Sequence, residues 1–139
     1  MNLLDIAHVP AVEVSPDSTV IEAIEASAPA RVGAVAVMEK GRLVGMFTER
    51  DVMLKVVLNR LDPDMTVLRG VMTSPVTTVG ADTSVPEVLQ LMLEKHFRHL
   101  PISEDGQTVQ GMLSIRNVLQ HMVEDLQQNL HHMEAYVNS

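Results

Sequence analysis

Two seven-residue stretches carry the residues best suited to chemistry, GMFTERD at 45–51 and GMLSIRN at 111–117. Each opens on Gly-Met, sets a hydroxyl at its fourth position and closes on a short polar side chain, giving the pairs Thr48/Asp51 and Ser114/Asn117. A hydroxyl at a helix start, beside backbone N–H groups that have no intrahelical partner, favours an anion. An ionised Asp only accepts hydrogen bonds, whereas Asn has one acceptor oxygen and two donor hydrogens. Thr-x-x-Asp is also a serviceable helix cap, the acid complementing the dipole, and the two uses coexist. No Ser/His/Asp set, paired-carboxylate cleft or Walker-type loop accompanies these motifs. The chemistry they suggest is binding, not turnover.

The duplication that carries these residues runs through most of the chain. Val14 to Glu22 (VSPDSTVIE) aligns with Val79 to Glu87 (VGADTSVPE), Val37 with Ile102, and Gly41 with Gly106. One extra residue near Gln107–Thr108 then brings Gly45-Met46 onto Gly111-Met112. Matching in this order, at an offset of about 65 residues, marks an internal repeat.

Each copy reads as β-α-β-β-α. A short extended segment (12–14; 76–79) leads to a helix opened by Thr19-x-x-Glu22 or Ser84-x-x-Glu87, both capping-box patterns. Two apolar runs follow, split at Gly41 and Gly106 as hairpins. A second helix starts at about Thr48 and Ser114. One copy is small for a stable core, so the two are expected to pack together. The fold class is α/β (α+β), with a first repeat and N-terminal segment over 1–62, a linker and second repeat over 63–125, and a helical extension over 126–139.

That extension belongs to a helix with apolar residues at 119, 122, 123, 126, 130, 133 and 137. Spacing of three and four marks an amphipathic helix. It either packs back on its own domain or forms a dimer contact.

Composition bounds the rest. With Phe47, Phe97 and Tyr136 the sole aromatics, the core must be built from Val, Leu, Ile, Ala and the ten Met. Absence of cysteine excludes disulfides and thiolate chemistry. No run approaches the roughly 18 apolar residues of a membrane span, and MNLLDIAHVP has no basic signal-like region. No membrane insertion and a cytoplasmic location are expected. A net charge of −8 argues against nucleic acid as a main partner. The six histidines form no metal-ligand spacing and read as surface or packing residues.

The repeated motifs, the RHLPI run at 98–102 and VMTSPVTTV at 71–79 resemble the cystathionine β-synthase (CBS) domain, in the tandem form called a Bateman module. The resemblance covers roughly residues 5–125. It implies two clefts between the copies that bind adenosine compounds such as AMP, ADP, ATP or S-adenosylmethionine, with or without Mg²⁺ and with no required cofactor.

By that resemblance Thr48 and Asp51 would hold ribose and nearby phosphate in one cleft, and Ser114 and Asn117 in the other. Met46 and Met112 would lie against a purine face. The opposite copy's first strand nominates Thr77 for the Asp51 cleft and Val12 for the Asn117 cleft. Arg98, His99 and Pro101, in the run before and within the central strand, join Arg50 and Arg116 as further ligand-binding candidates. Asn117 and the Gly33–Ala34 pair depart from the family pattern, the latter leaving the first cleft fewer cations. The implied function is a non-enzymatic regulatory sensor, a homodimer that reports ligand state to an unknown partner protein. The alternative is a ligand-independent dimeric interaction scaffold.

Overall fold

The computed structural model describes residues 1–138 and contains two versions of one unit. The first runs β1 (Glu13–Val14), α1 (Val20–Ser27), β2 (Ala34–Glu39), β3 (Arg42–Thr48) and α2 (Glu49–Asp51). The last of these continues as a π-helical segment, Val52–Val57. The second runs α3 (Val85–Lys95), β4 (His99–Ile102), β5 (Gly111–Ser114) and α4 (Ile115–Val137).

In the first sheet β1 lies parallel to β2, and β2 antiparallel to β3. In the second, β4 and β5 pair antiparallel, and the expected extended segment at 76–79 shrinks to one parallel bridge, Val79 to Ile102. The cause is Pro101. In the first repeat the Ala36 N–H donates to the Val12 carbonyl at 2.9 Å, but the matching residue, Pro101, has no N–H to give.

Local chemistry fixes the remaining ends. Thr19 and Glu22 form the complete capping box. Ser84 accepts from the Glu87 N–H at 3.3 Å, but Glu87 does not return the bond, so the expected reciprocal cap is only half formed. The hairpin turns hold Gly41 and Gly106 each at φ +76°, backbone that a residue with a Cβ rarely adopts.

Three apolar clusters make the core. Val20, Val35, Val37, Phe47, Val56 and Leu68 fill the first repeat. Val88, Met92, Leu100, Ile102, Leu113 and Val118 fill the second. Between them lie Ala11, Ala34, Ala36, Met46 and Met112. The small side chains on β2 let the repeats approach, and the two Met of the duplicated motifs fill the seam.

The connecting segments are interleaved. Leu3, fully buried, joins the second repeat's cluster, its N–H donating to the Ala81 carbonyl at 2.9 Å. His8 bridges Met112 on β5. Conversely the linker gives Leu68 and Val71 to the first repeat's core, and Thr73 bridges Met46 on β3. That last bridge brings a second hydroxyl to the end of the first repeated motif.

Candidate functional site

Both motifs build the same local geometry. Thr48 accepts from the Asp51 N–H at 3.2 Å, and Asp51 Oδ2 accepts from the Thr48 N–H at 3.0 Å. Ser114 accepts from the Asn117 N–H at 3.0 Å, and Asn117 Oδ1 accepts from the Ser114 N–H at 2.9 Å. Each pair is a reciprocal cap that leaves the strand and opens the helix.

What surrounds the caps differs. Asp51 is 7% exposed. The Thr73 hydroxyl lies 3.1 Å from both Asp51 oxygens, and the Lys55 ammonium 3.2 Å from Oδ1. Lys55 also donates to the Thr73 hydroxyl at 3.3 Å. Thr73 and Lys55 thus close a ring with the Asp51 carboxylate, and both of its oxygens accept hydrogen bonds from within the chain. Asn117 has no such neighbours. Among the described residues its amide nitrogen makes no hydrogen bond, so both N–H donors remain for other partners.

Sheet register brings the second motif beside the RHLPI run. His99 pairs with Ser114 and Pro101 with Met112 across β4–β5, and the Arg98 carbonyl accepts from the Ile115 N–H at 2.8 Å. Arg98, His99, Ser114 and Asn117 therefore cluster at the strand ends, with the Arg98 side chain exposed. The equivalent place in the first repeat holds Gly33, whose carbonyl accepts from the Glu49 N–H at 2.9 Å.

The two places meet. A Cβ on Gly33 would lie 2.9 Å from Glu49 Oε1 and 3.2 Å from His99 Cε1. Burial pushes the His99 imidazole below its usual pKa, Glu49 opposes that shift and Arg98 adds to it. A largely neutral ring at the boundary between the repeats follows.

The other candidates are dispersed. Met46 and Met112 are buried in the seam between the repeats, 8% and 3% exposed, and Pro101 is buried on β4. Arg50 and Arg116 are exposed on the first turns of α2 and α4. Thr77 is exposed, and Val12 packs against the first repeat's own core. Thr73 and Lys55 were not singled out from sequence. Lys55 stands four residues after Asp51, a helical spacing that could have flagged it; Thr73 is brought in by the linker and leaves no local signal.

The family pattern that matches the sequence is the CBS domain, over residues 4–58 and again over 68–124. The chain belongs to the CBS-domain family. It is 31% identical, over 126 residues, to the mitochondrial CBS domain-containing protein CBSX3 of Arabidopsis thaliana, covering 87% of this chain and 61% of that one. The first relatives are longer, this chain spanning 55% and 61% of their lengths.

Among solved structures, a putative signal-transduction protein with CBS domains from Burkholderia ambifaria superposes with a TM-score of 0.81 at 27% identity, covering 90% of this chain and 96% of that one. The CBS domain pair of protein MJ0100, solved with 5′-methylthioadenosine and S-adenosyl-L-methionine, superposes with a TM-score of 0.80 over 90% of this chain and 98% of that one. At 19% identity that likeness is one of fold. The tandem CBS pair and its mixed α+β architecture are those of this chain. No described helix is long and apolar enough to cross a membrane.

Proposed function

We propose that this CBS pair is a non-catalytic regulatory module that binds an adenosine compound (AMP, ADP, ATP or S-adenosylmethionine) between its repeats. In this reading it works as a cytoplasmic homodimer and passes its ligand state to a partner protein. The observation that carries the reading is the duplicated cap with two different surroundings. One copy presents a carboxylate held by exchangeable donors; the other presents free amide donors beside Arg98 and His99.

The chemistry follows from those groups. At Asp51 two vicinal ribose hydroxyls can replace the Thr73 hydroxyl and the Lys55 ammonium, donor for donor, so the carboxylate stays satisfied throughout. Lys55, once released, is a cation close to the ribose and suited to a phosphate. Thr73, once released, loosens the linker from β3. Ligand binding at Asp51 is thereby coupled to the segment that joins the repeats. Such a ligand shifts the module only by the difference in its affinity for the two arrangements.

The test is calorimetric titration of AMP, ADP, ATP and S-adenosylmethionine, with and without Mg²⁺, against the native chain, Asp51→Asn and Ser114→Ala. Asn at 51 keeps an acceptor for the cap, so lost binding reports on the ligand site. Micromolar binding weakened by either variant supports the sensor. No binding by any of the four favours a ligand-independent scaffold.

A further inference from the structure

Helix α4 leaves the module after Met122, and every residue from 123 to 138 is exposed. Along its outer length the apolar residues are Leu119, Val123, Leu126, Leu130, Met133 and Val137, all between 47% and 78% exposed. Their steps are four, three, four, three and four residues. That is a heptad seam in strict alternation, with Val123, Leu130 and Val137 at one core position (a) and Leu119, Leu126 and Met133 at the other (d). A helix that only packs back on its own domain has no need for the alternation to continue once the domain is behind it.

We infer that the outer part of α4 pairs in parallel with the α4 of a second copy as a two-stranded coiled coil. This deepens the homodimer part of the proposed function by naming a surface, and it is independent of any ligand. A second copy fits the seam because the seam is self-complementary. Each layer would stack a residue on its own twin, and β-branched residues at two of three a positions with Leu at two of three d positions favour two parallel strands.

The flanks agree. Positions 120, 122, 127, 129, 134 and 136 beside the seam carry a single charge, Glu134, which in parallel register faces the neutral Asn129 of the second copy. The other charges of this stretch, Glu124 and Asp125, lie on the outward side. Covering six such side chains on each helix removes roughly 1,000 Å² from water, the lower edge of a specific interface.

The chain contains no cysteine, so single thiols can be placed cleanly. Leu126→Cys puts one at the centre of the seam and Gln128→Cys one on the opposite side of the same helix. Both sites are exposed, so neither change burdens the fold. Under mild oxidation Leu126→Cys is expected to form a disulfide-linked dimer at least tenfold faster than Gln128→Cys. Equal rates overturn the coil. Faster linkage in a mixture of Leu126→Cys with Leu130→Cys than in Leu126→Cys alone overturns the parallel direction. Sedimentation of the native chain separates the remaining outcomes. A dimer whose Leu126→Cys form does not crosslink seats the interface elsewhere, overturning the coil but not the homodimer; a monomer overturns both.

Discussion

Replacing Asp51 by alanine should cost far more stability than the same change at Asn117, although the two residues occupy matching positions. Both substitutions remove one half of a reciprocal cap, a loss of about 1 kcal/mol. Asp51→Ala also strips the Thr73 hydroxyl of its charged acceptor, and a hydrogen bond to a charged group contributes about 1.5–3 kcal/mol. The Lys55 contact adds little, because the lysine side chain is 40% exposed and screened by water. The totals are about 3 kcal/mol at position 51 and about 1 kcal/mol at position 117. Urea unfolding at pH 7 reads the difference directly. With a slope of about 1–3 kcal/mol per molar, the Asp51→Ala midpoint should fall by about 1–3 M and the Asn117→Ala midpoint by less than about 1 M. Equal midpoint shifts would refute the reasoning, since they would mean that the ring formed by Asp51, Lys55 and Thr73 contributes nothing beyond the cap.

Gly45→Ala should lose about 1–3 kcal/mol in the same assay, because a Cβ there would sit 2.5 Å from Met72 Sδ. Gly70→Ala, which meets open space, should stay within about 0.5 kcal/mol. The depressed pKa of His99 means that the unfolded chain binds the extra proton first, so this group's contribution is intact above about pH 6.5 and is lost on acidification. Thermal unfolding between pH 7 and 5 should therefore show a shallower pH dependence in His99→Gln than in the native chain. Lys55→Met should lose most of the affinity difference between phosphorylated adenosine ligands and adenosine itself, as titration of AMP and adenosine in parallel would show; an unchanged ratio would remove Lys55 from the ligand site.

The sequence exposed features whose determinants are local or periodic. The repeat, the hairpin glycines and the Thr-x-x-Asp and Ser-x-x-Asn caps all depend on residues a few positions apart, and all appear where their spacing put them. What it hid was decided at a distance. Pro101 shortened the pairing of 76–79 only because its neighbour across the sheet needed a donor. Thr73 reached Asp51 through a linker that adds an edge to β3, and nothing in VMTSP announces that docking. The coupling of His99 to Glu49 likewise requires the contact between the two repeats, which no periodicity encodes.

The interleaving of the segments has a consequence for how the chain comes to be made. Leu3 and His8 are synthesised ahead of their partners at Ala81 and Met112, which follow up to roughly 100 residues later, some 5–20 s at ordinary synthesis rates. Throughout that interval the side chain of Leu3, buried in the finished fold, has nowhere to go. The first repeat, by contrast, receives its linker edge at residue 73, well before the second is complete. The strands and linker edge of the first repeat are therefore all made before the second repeat is complete, and the contacts of Leu3 with Ala81 and of His8 with Met112 on β5 close only after the second repeat has been made.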